Sequence, residues 1–465
     1  MSVNETGAEL ADRAVALSGT AGCVAIVSDN YQANLRWAGS ALTTNGQMHK
    51  RTMVFVAFAD VDGGTAFGVS RGAVTGADDL ERLVRSAGAA AQSSGPAEDA
   101  QPLVTPDQAP PAADFGADAE QTTIDVFVTF APALGKAFAQ ARTAGHELFG
   151  FAEHIVETTW LATSTGVRLR HVQPTGRVEL NAKTPDFQRS AWVGQSTTDF
   201  ADVEVADLYA DVVTRLGWSE NKIDLPAGRY ETLLPPSAVA DLLIYALWSA
   251  SARDAEEGRS AFATKDGGTR IGEQLSKLPI TISSDPAYPG IEAAEFMIAG
   301  SSGGGLQSVF DNGLRLRRTD WVRDGTLTNL VRTRATVHGE AEVSAVVDNL
   351  IMDARGTTSL TEMIAATKRG LLLTCLWYIR EVDPEILLLT GLTRDGVYLI
   401  EDGKIIGAVN NFRFNESPID LLTRITEASA SERTLPREWN DWFTRTVMPA
   451  VRVPDFNMST VSQAS

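Results

Sequence analysis

Two short stretches of the chain carry residue types that could do chemistry, and the first is HELFGFAEH at 146–154. Zinc proteases need two imidazoles one turn apart on one helical face, with a glutamate placed as general base. His146 and His154 are eight positions apart, so a straight helix cannot bring both to one ion. The remaining histidines, His49, His171 and His338, are isolated in the sequence. We therefore predict no zinc site from these residues.

The second stretch is GSSGG at 300–304, which matches the pattern of a nucleophile elbow with Ser302 at its centre. An elbow exposes its serine because a strand enters the turn and a helix leaves it. EFMIAG, before the stretch, could be that strand, but GLQSVFDNG, after it, is typical of a strand and a turn. We therefore predict a Gly/Ser hairpin, and the run also lacks the Gly-Lys-Ser/Thr of a phosphate-binding loop.

The composition argues against several classes of function. With 44% hydrophobic and 21% charged residues, the chain is typical of a soluble globular protein. A net charge of −19 argues against nucleic acid and anionic membranes, because both attract clustered Lys and Arg. The start is polar and acidic, unlike a signal peptide, and no apolar run approaches the roughly 18 residues of a membrane span.

The two cysteines, Cys23 and Cys375, lie in the apolar, strand-like runs CVAIV and LLLTCLWYI. Such runs suit small buried thiols in a reducing compartment. Two cysteines without a CxxC pair indicate neither a disulfide framework nor a cysteine zinc site. We therefore expect a cytoplasmic protein.

The first part of the chain predicts a mixed α/β domain that ends near residue 225, at the polar stretch SENKIDLPAG. A helix opens this domain, and the next predicted strands are 23–29, 32–40, 52–60 and 65–70. A helix at 76–92 is followed by a Pro-rich segment, about 93–118, that we predict to be a mobile loop. Beyond it the pattern predicts a long helix at 132–159, strands at 160–172 and 176–182, and a helix at 204–218.

The second part predicts a strand-rich domain that contains a central helix. The predicted strands are 278–285, 295–300, 308–313, 314–322, 328–339, 371–382, 396–405 and 409–416. One further helix is predicted at 358–370. The fold class is therefore α+β, with an N-terminal domain at 1–225 and a C-terminal domain at 226–465.

The central helix contains LLIYALWSASARDAEEGRS at 242–260 and follows a Pro-Pro-Ser start. There is no His or Cys from Ala238 to Gly258, and none of the residues 242–248 can bind zinc or act as a carboxylate base. RDAEEGR at 253–259 places several charges near the end of this segment. We interpret them as a solvated helix end rather than a cation site.

The second half resembles the TldD/PmbA family of metallopeptidase-related proteins. The segments that carry the resemblance are RYETLLPPSAVADLLIYALWSASARDAEEGRSAF, LPITISSDPAYPG, WVRDGTLTNLVRTRATV, LIMDARGTTSLTEMIAATKRGLLLTCLW and GVYLIEDGKIIGAV. The N-terminal half is similar more loosely, through GVSRGAVTGADDLERLVRSAGAAA and STGVRLR. The resemblance thus covers most of the chain.

The resemblance implies a two-domain chain that pairs into a dimer around an enclosed cleft. In the family, TldD-type chains carry His-Glu-x-x-x-His on the central helix and a zinc-binding Cys further along. PmbA-type chains, also called TldE, lack these ligands and act as the partner subunit. This sequence lacks them on the central helix, and Cys375 has no ligand helix to join, so it is similar to the PmbA type.

We therefore expect the non-catalytic subunit of a cytoplasmic TldD/PmbA-type zinc metallopeptidase that degrades or trims unfolded or small peptides. Its partners would be a TldD-type catalytic chain, which would hold the zinc, and the peptide. No catalytic, cofactor-binding or metal-binding residue is assigned to this chain. One alternative is a metal-free homodimer that binds peptides without hydrolysis, and another is a zinc-independent hydrolase that uses Ser302.

Overall fold

The computed structural model describes residues 5–462 except 112–113, 304, 340 and 395. The chain forms one long antiparallel sheet, followed by two further sheets that pack around a helix. The predicted α+β class is confirmed, with a mixed N-terminal part and a strand-rich C-terminal part around a central helix. None of the helices in this described part is long and apolar enough to span a bilayer.

The described residues form eight α-helices, and side chains cap the starts of several of them. The α-helices of the described residues are α1 (Gly7–Leu17), α2 (Ala77–Ser93), α3 (Phe130–Ala144), α4 (Val205–Trp218), α5 (Pro236–Trp248), α6 (Ala252–Glu256), α7 (Leu360–Ala366) and α8 (Pro418–Arg424). Short 3-10 helices occupy Ile124–Phe127, Val309–Asp311 and Arg334–Thr336. Thr6 and Ser359 form capping boxes, which satisfy free amides at the starts of α1 and α7.

The first sheet is built from the strands β1 (Gly22–Ala38), β2 (Ala41–Val61), β3 (Gly64–Ala73), β4 (Glu147–Thr163), β5 (Arg168–Lys183) and β6 (Ser190–Thr197). Its order is β3-β2-β1-β4-β5-β6, and all neighbouring pairs are antiparallel. One face packs against α1 to α4, in two apolar clusters that contain Trp160 and Phe130. At one end of the opposite face, Ile26 and Phe58 belong to a cluster with Phe310 of the C-terminal part.

The remaining strands form the C-terminal sheets. They are β7 (Lys222–Ile223), β8 (Gly228–Leu234), β9 (Thr281–Ser284), β10 (Thr319–Arg323), β11 (Thr326–Leu327), β12 (Leu350–Asp353), β13 (Arg369–Leu373), β14 (Trp377–Asp383), β15 (Leu388–Leu392), β16 (Val397–Glu401), β17 (Lys404–Val409), β18 (Phe412–Glu416), β19 (Glu427–Ala428), β20 (Glu432–Thr434), β21 (Thr446–Met448) and β22 (Val451–Val461). The second sheet has the order β11-β10-β9-β12-β21-β20. The third has the order β14-β15-β18-β22-β8-β13-β16-β17-β7, and β19 pairs with β22.

Helix α5 lies in the largest apolar cluster of the C-terminal part. Its aliphatic side chains share this cluster with Ile282 of the second sheet and with Leu373 and Phe414 of the third. Pro236 occupies the first turn, where its missing N–H costs no hydrogen bond. The helix is therefore apolar on nearly all sides because sheets cover it on both sides.

The prediction of one helix over 132–159 is wrong. Helix α3 ends at Ala144 because Gly145 adopts a left-handed conformation at the C-cap, with φ of 72°. The next residues form β4, which pairs with β1 on one side and β5 on the other. The alternation of buried residues along β4 is that of a strand, so long-range pairing outweighs the helix-like local composition.

The break predicted between strands 23–29 and 32–40 is also wrong, because β1 continues through residues 30 and 31. In the C-terminal part, the helix predicted to reach residue 260 ends at Trp248, and α6 follows after Ser251. Helix α8 is missed, although Ser417 and Pro418 are a start signal.

Three predicted strands of the C-terminal part do not form. Segment 295–300 contributes an isolated bridge between Phe296 and Arg315, and 308–313 contains a 3-10 helix. Segment 328–339 contributes the Arg332–Ser344 bridge and another 3-10 helix. Alternating polarity predicted strands there, but these segments lack the continuous partners that a ladder requires.

The Pro-rich segment contacts the first sheet. Val104 is buried in an apolar cluster with the sheet, and the Phe115 carbonyl accepts a 3.0 Å hydrogen bond from Trp160 Nε1. The mobility expected of residues 93–118 stays a prediction.

Candidate functional site

A cleft of about 760 Å3 lies between the first sheet and the C-terminal part of the chain. Its floor is formed by side chains of β1, β4 and β5. Its walls are formed by residues from 294–307 and 441–445 and by Trp248 at the end of α5. The cleft combines polar groups on its floor with apolar walls that include Phe296 and Trp442, and Trp442 is 77% exposed. Such concave sites are the usual places for ligand binding.

The floor is polar because of the strand register. Asn30 of β1 lies opposite Glu157 of β4, which lies opposite Gln173 of β5. Asn30 Nδ2 donates a 3.2 Å hydrogen bond to Glu157 Oε2, and the Thr159 hydroxyl donates to Oε1 at 3.2 Å. Gln173 Nε2 donates to the Glu292 carbonyl at 3.2 Å. The sheet thus turns a row of amide, hydroxyl and carboxylate groups toward the cleft.

His171 of β5 lies on the same floor. Burial lowers the pKa of His171 below its ordinary value, and the positive charge of Arg445 lowers it further. Its Nε2 lies 3.0 Å from Gln173 Oε1 and therefore donates to it. Because burial lowers the pKa, the ring is neutral near pH 7. His171 adds a polar group to the cleft but no positive charge.

Two arginines connect the floor to the wall at 440–445. Arg445 pairs with Asp348 and donates to Thr175 Oγ1 at 2.9 Å. Arg177 of β5 pairs with Asp441 and, at 3.2 Å, with Glu153 of β4. Asp348 and Asp441 of the cleft lining therefore each have an arginine partner, and Arg177 is shared between Asp441 and Glu153.

Asp241 of α5 binds the segment 437–439, which precedes the cleft wall at 441–445. This side chain is fully buried, and its two oxygens accept the backbone N–H groups of Arg437 (3.2 Å) and Glu438 (2.9 Å). Trp439 Nε1 donates to the Asp241 carbonyl at 2.8 Å, and its ring contacts Trp248 with 5.1 Å between centroids. Burial raises the pKa of the Asp241 carboxyl well above its usual range. The acid of the central helix thus has a positioning role.

The histidines of HELFGFAEH do not come together. His146 lies in the turn before β4 and His154 within it, so an extended chain separates them by about 26 Å. The Thr122 hydroxyl donates to His154 Nδ1 at 2.7 Å, and Nε2 donates to the Thr198 carbonyl at 2.7 Å. Both ring nitrogens of His154 are therefore occupied.

A zinc ion does not fit the residues that the structure describes. Within 5–462, apart from the five undescribed positions, no group of three or more His, Cys, Asp or Glu side chains could hold a metal ion. Cys375 is buried in a cluster with Trp192 and Leu435, and Cys23 is buried in a different cluster. Both thiols are therefore buried, as the apolar runs around them predict, and they lie in separate clusters.

Ser302 lines a second cavity of about 330 Å3, which shares Gly303 and Gln307 with the cleft. His338 lines the same cavity. The Ser302 hydroxyl accepts the Val309 N–H at 3.0 Å, and Gly303 pairs with Gln307 as in a tight hairpin. Among the described residues here, Ser302 is neither preceded by a strand nor followed by an α-helix, so the context of a nucleophile elbow is not formed, and the predicted Gly/Ser hairpin is represented by this isolated bridge.

Sequence analysis did not identify two of the functional candidates, Glu157 and Asp241. Asp241 had a signal, since it is the one charged residue in the thirteen-residue apolar helix α5. Glu157 had none, because its importance depends on which strands lie beside β4.

The overall fold is similar to three solved structures. TldE from Thermococcus kodakarensis has a TM-score of 0.77 at 15% identity, with 96% of this chain and 98% of that chain covered. A putative modulator of DNA gyrase from Bacteroides thetaiotaomicron has a TM-score of 0.77 at 12% identity, with coverage of 97% and 98%. Another from Thermotoga maritima has a TM-score of 0.73 at 16% identity, with coverage of 97% and 99%. At these identities the likeness shows the fold.

The sequence itself matches two family models. The PmbA/TldA metallopeptidase central domain matches residues 122–220, and the C-terminal domain matches residues 227–460. A comparison with curated proteins finds no match. Because the C-terminal match alone covers just over half of the 465 residues, the resemblance is confirmed, and the chain belongs to the PmbA/TldD family.

Proposed function

We propose that this chain is the non-catalytic partner subunit of a cytoplasmic TldD/PmbA-type zinc metallopeptidase that degrades or trims unfolded or small peptides. The observation that carries the proposal is the chemistry of α5. In TldD-type chains this helix would hold His-Glu-x-x-x-His, whereas here Leu242, Leu243 and Ile244 are core residues. Trp248 is the side chain that α5 contributes to the lining of the cleft.

The acid on α5 does not substitute for the missing base. Both oxygens of Asp241 accept backbone hydrogen bonds, and its side chain is fully buried. A general base has to reach the proton that it removes, and Asp241 is engaged away from the cleft. Its position is better explained as support for the loop that carries Trp439.

The cleft supports a role in peptide binding. A groove with an amide- and hydroxyl-rich floor can bond to a peptide main chain, and aromatic walls can accept varied side chains. The catalytic zinc would lie in the partner chain. Likeness to a protein described as TldE supports the assignment to the non-catalytic type.

A cytoplasmic location is part of the proposal. It is supported by the two cysteines, which are buried in separate apolar clusters, and burial raises the pKa of the Cys23 thiol. Buried thiols in separate cores are typical of proteins that fold in a reducing compartment.

The test is to express the chain alone and together with a TldD-type chain from the same genome. Zinc content and hydrolysis of an unstructured peptide are then measured for each preparation. We expect neither zinc nor hydrolysis for the chain alone, and both in a one-to-one complex. Stoichiometric zinc and activity in the isolated chain would overturn the proposal.

A matched control uses His146→Gln in the co-expressed complex, because His146 Nδ1 is buried without a hydrogen-bond partner and could in principle be a ligand. The variant should keep the zinc content of the complex. Failure of the two chains to co-purify, together with a stable homodimer that binds peptide, would instead favour the metal-free peptide-binding protein.

A further inference from the structure

Glu157 lies on the cleft floor, and the side chains that donate hydrogen bonds to its carboxylate are all uncharged. Its oxygens accept hydrogen bonds from Asn30 (3.2 Å), Thr159 (3.2 Å) and Ser28 (3.5 Å). All three donors are uncharged. Among the described residues, no arginine, lysine or histidine forms an ion pair with Glu157. The negative charge of this half-buried group is therefore oriented but not neutralised.

The other acids of the cleft differ from Glu157 in this respect. Asp348 pairs with Arg445, and Asp441 pairs with Arg177. The nearest histidine on the floor, His171, is neutral because burial lowers its pKa. Among the described acids that line the cleft, Glu157 is therefore the one without an ion-pair partner.

Lys50 is the remaining cation in the same row. It lies on β2 opposite Asn30, so one strand separates it from Glu157 and the backbones are about 10 Å apart. Lys50 is exposed. Its positive charge makes the region less negative, but it does not occupy the acceptor positions of Glu157.

We propose that Glu157 binds a primary ammonium group of the peptide that occupies the cleft. The group is either the α-amino terminus or a lysine side chain, since both present the same three N–H donors. Asn30, Thr159 and Ser28 hold the carboxylate in place, so an arriving ammonium finds a preorganised acceptor. The proposal rests on the peptide-binding role given above, and it assigns this cleft a preference for cationic over capped, lysine-free peptides.

The test measures the binding of unlabelled peptides to the purified full chain by isothermal titration calorimetry and by intrinsic tryptophan fluorescence, to which Trp248 and Trp442 of the cleft contribute. Three peptides share one Gly/Ser/Ala-rich sequence: one with a free amino terminus and no lysine, one acetylated with a single lysine, and one acetylated without lysine. At least one ammonium-bearing peptide should bind about tenfold more tightly than the capped, lysine-free peptide, as for a charge-assisted hydrogen bond. Whichever of the two binds more tightly identifies the source of the ammonium.

Glu157→Gln should abolish this difference while keeping the shape of the side chain. The matched control is Glu153→Gln, which lies four residues away on β4 and is paired with Arg177. That variant should retain the tenfold preference. Thermal unfolding of both variants establishes that they are folded.

Three outcomes would overturn the inference: equal binding of all peptides to the wild-type chain, an unchanged preference in Glu157→Gln, or no binding of any peptide. Co-purification with a TldD-type chain is a separate measurement. A complex that forms without any preference for ammonium would remove this inference and leave the partner-subunit role intact. A clear preference for ammonium without complex formation would support this inference and remove the partner-subunit role.

Discussion

Replacement of Asp241 by alanine tests whether the buried acid of α5 supports the wall of the cleft. Asp241→Ala removes the acceptor for the backbone N–H groups of Arg437 and Glu438. A buried donor without a partner costs about 1–3 kcal/mol, so two such donors give about 2–6 kcal/mol. The bond from Trp439 should persist, because it goes to the main-chain carbonyl of residue 241.

Two effects reduce this figure. The variant no longer buries a carboxylate, and alanine has a higher helix propensity than aspartate by up to about 0.7 kcal/mol. We therefore expect the free energy of unfolding to fall by about 2–3 kcal/mol, near the lower limit for two buried donors. The control Asp254→Ala removes an ion pair with Arg259 in which both side chains are at least 31% exposed, so its cost should stay below about 1 kcal/mol.

The effect of Asp241 should also depend on pH. Burial raises its pKa in the folded protein, so folding takes up a proton above the unfolded pKa. The contribution of this group to stability is full below that unfolded value and declines as the pH rises toward the folded pKa. The difference between wild type and Asp241→Ala should therefore be larger at pH 5 than at pH 8.

The assay combines urea unfolding, followed by tryptophan fluorescence, with hydrogen exchange of the 437–439 segment. Exchange should accelerate at the amides of Arg437 and Glu438 in Asp241→Ala but not in Asp254→Ala. A loss of less than about 0.5 kcal/mol together with unchanged protection of both amides would refute the reasoning, since buried donors cannot be left unpaired at no cost.

Two further predictions concern packing and pH. Gly68→Ala should reduce the free energy of unfolding by about 1–3 kcal/mol because a Cβ would lie 2.3 Å from the Ala87 carbonyl oxygen of α2. Gly72→Ala, on the same strand, would place its Cβ 3.4 Å from a leucine methyl group and should change stability by less than about 1 kcal/mol, as urea unfolding of both variants would reveal. Burial lowers the pKa of His154, so its contribution to stability is present above the unfolded pKa and is lost as the pH falls below about 6.5. In His154→Gln, the free energy of unfolding should fall less steeply below about pH 6.5 than in the wild type. An equally steep fall in the variant would show that His154 does not titrate as described.

Several elements could be predicted from local patterns alone. Helices α2, α4 and α7 combine an apolar stripe with terminal signals, and the structure confirms all three: the ends of α2 and α4 agree to within one residue, whereas α7 ends four residues earlier than predicted. The apolar character of α5 likewise predicted a helix buried between other elements. These features depend on residues that are close in sequence, so the sequence contains the information directly.

The errors occurred where distant segments determine the structure. Residues 147–159 have a helix-like composition, but pairing with β1 and β5 makes them a strand. The polar residues at 29–32 resemble a turn, yet they remain in β1 because cross-strand partners such as Glu157 satisfy Asn30. The misassigned residues 29–32 and the misassigned helix segment therefore pair with each other, and together they form part of the floor of the cleft.

The sequence by itself determined the α+β class, the apolar and ligand-poor nature of α5, and membership of the family through its C-terminal half. Only the tertiary structure decided that Glu157 faces a cleft and has no ion-pair partner in the described part of the chain, and that Asp241 supports the opposite wall. The physical reason is that the charge state and the role of a carboxylate depend on the groups around it. Whether it is neutralised, buried or free depends on strand register and on loops that arrive from elsewhere in the chain.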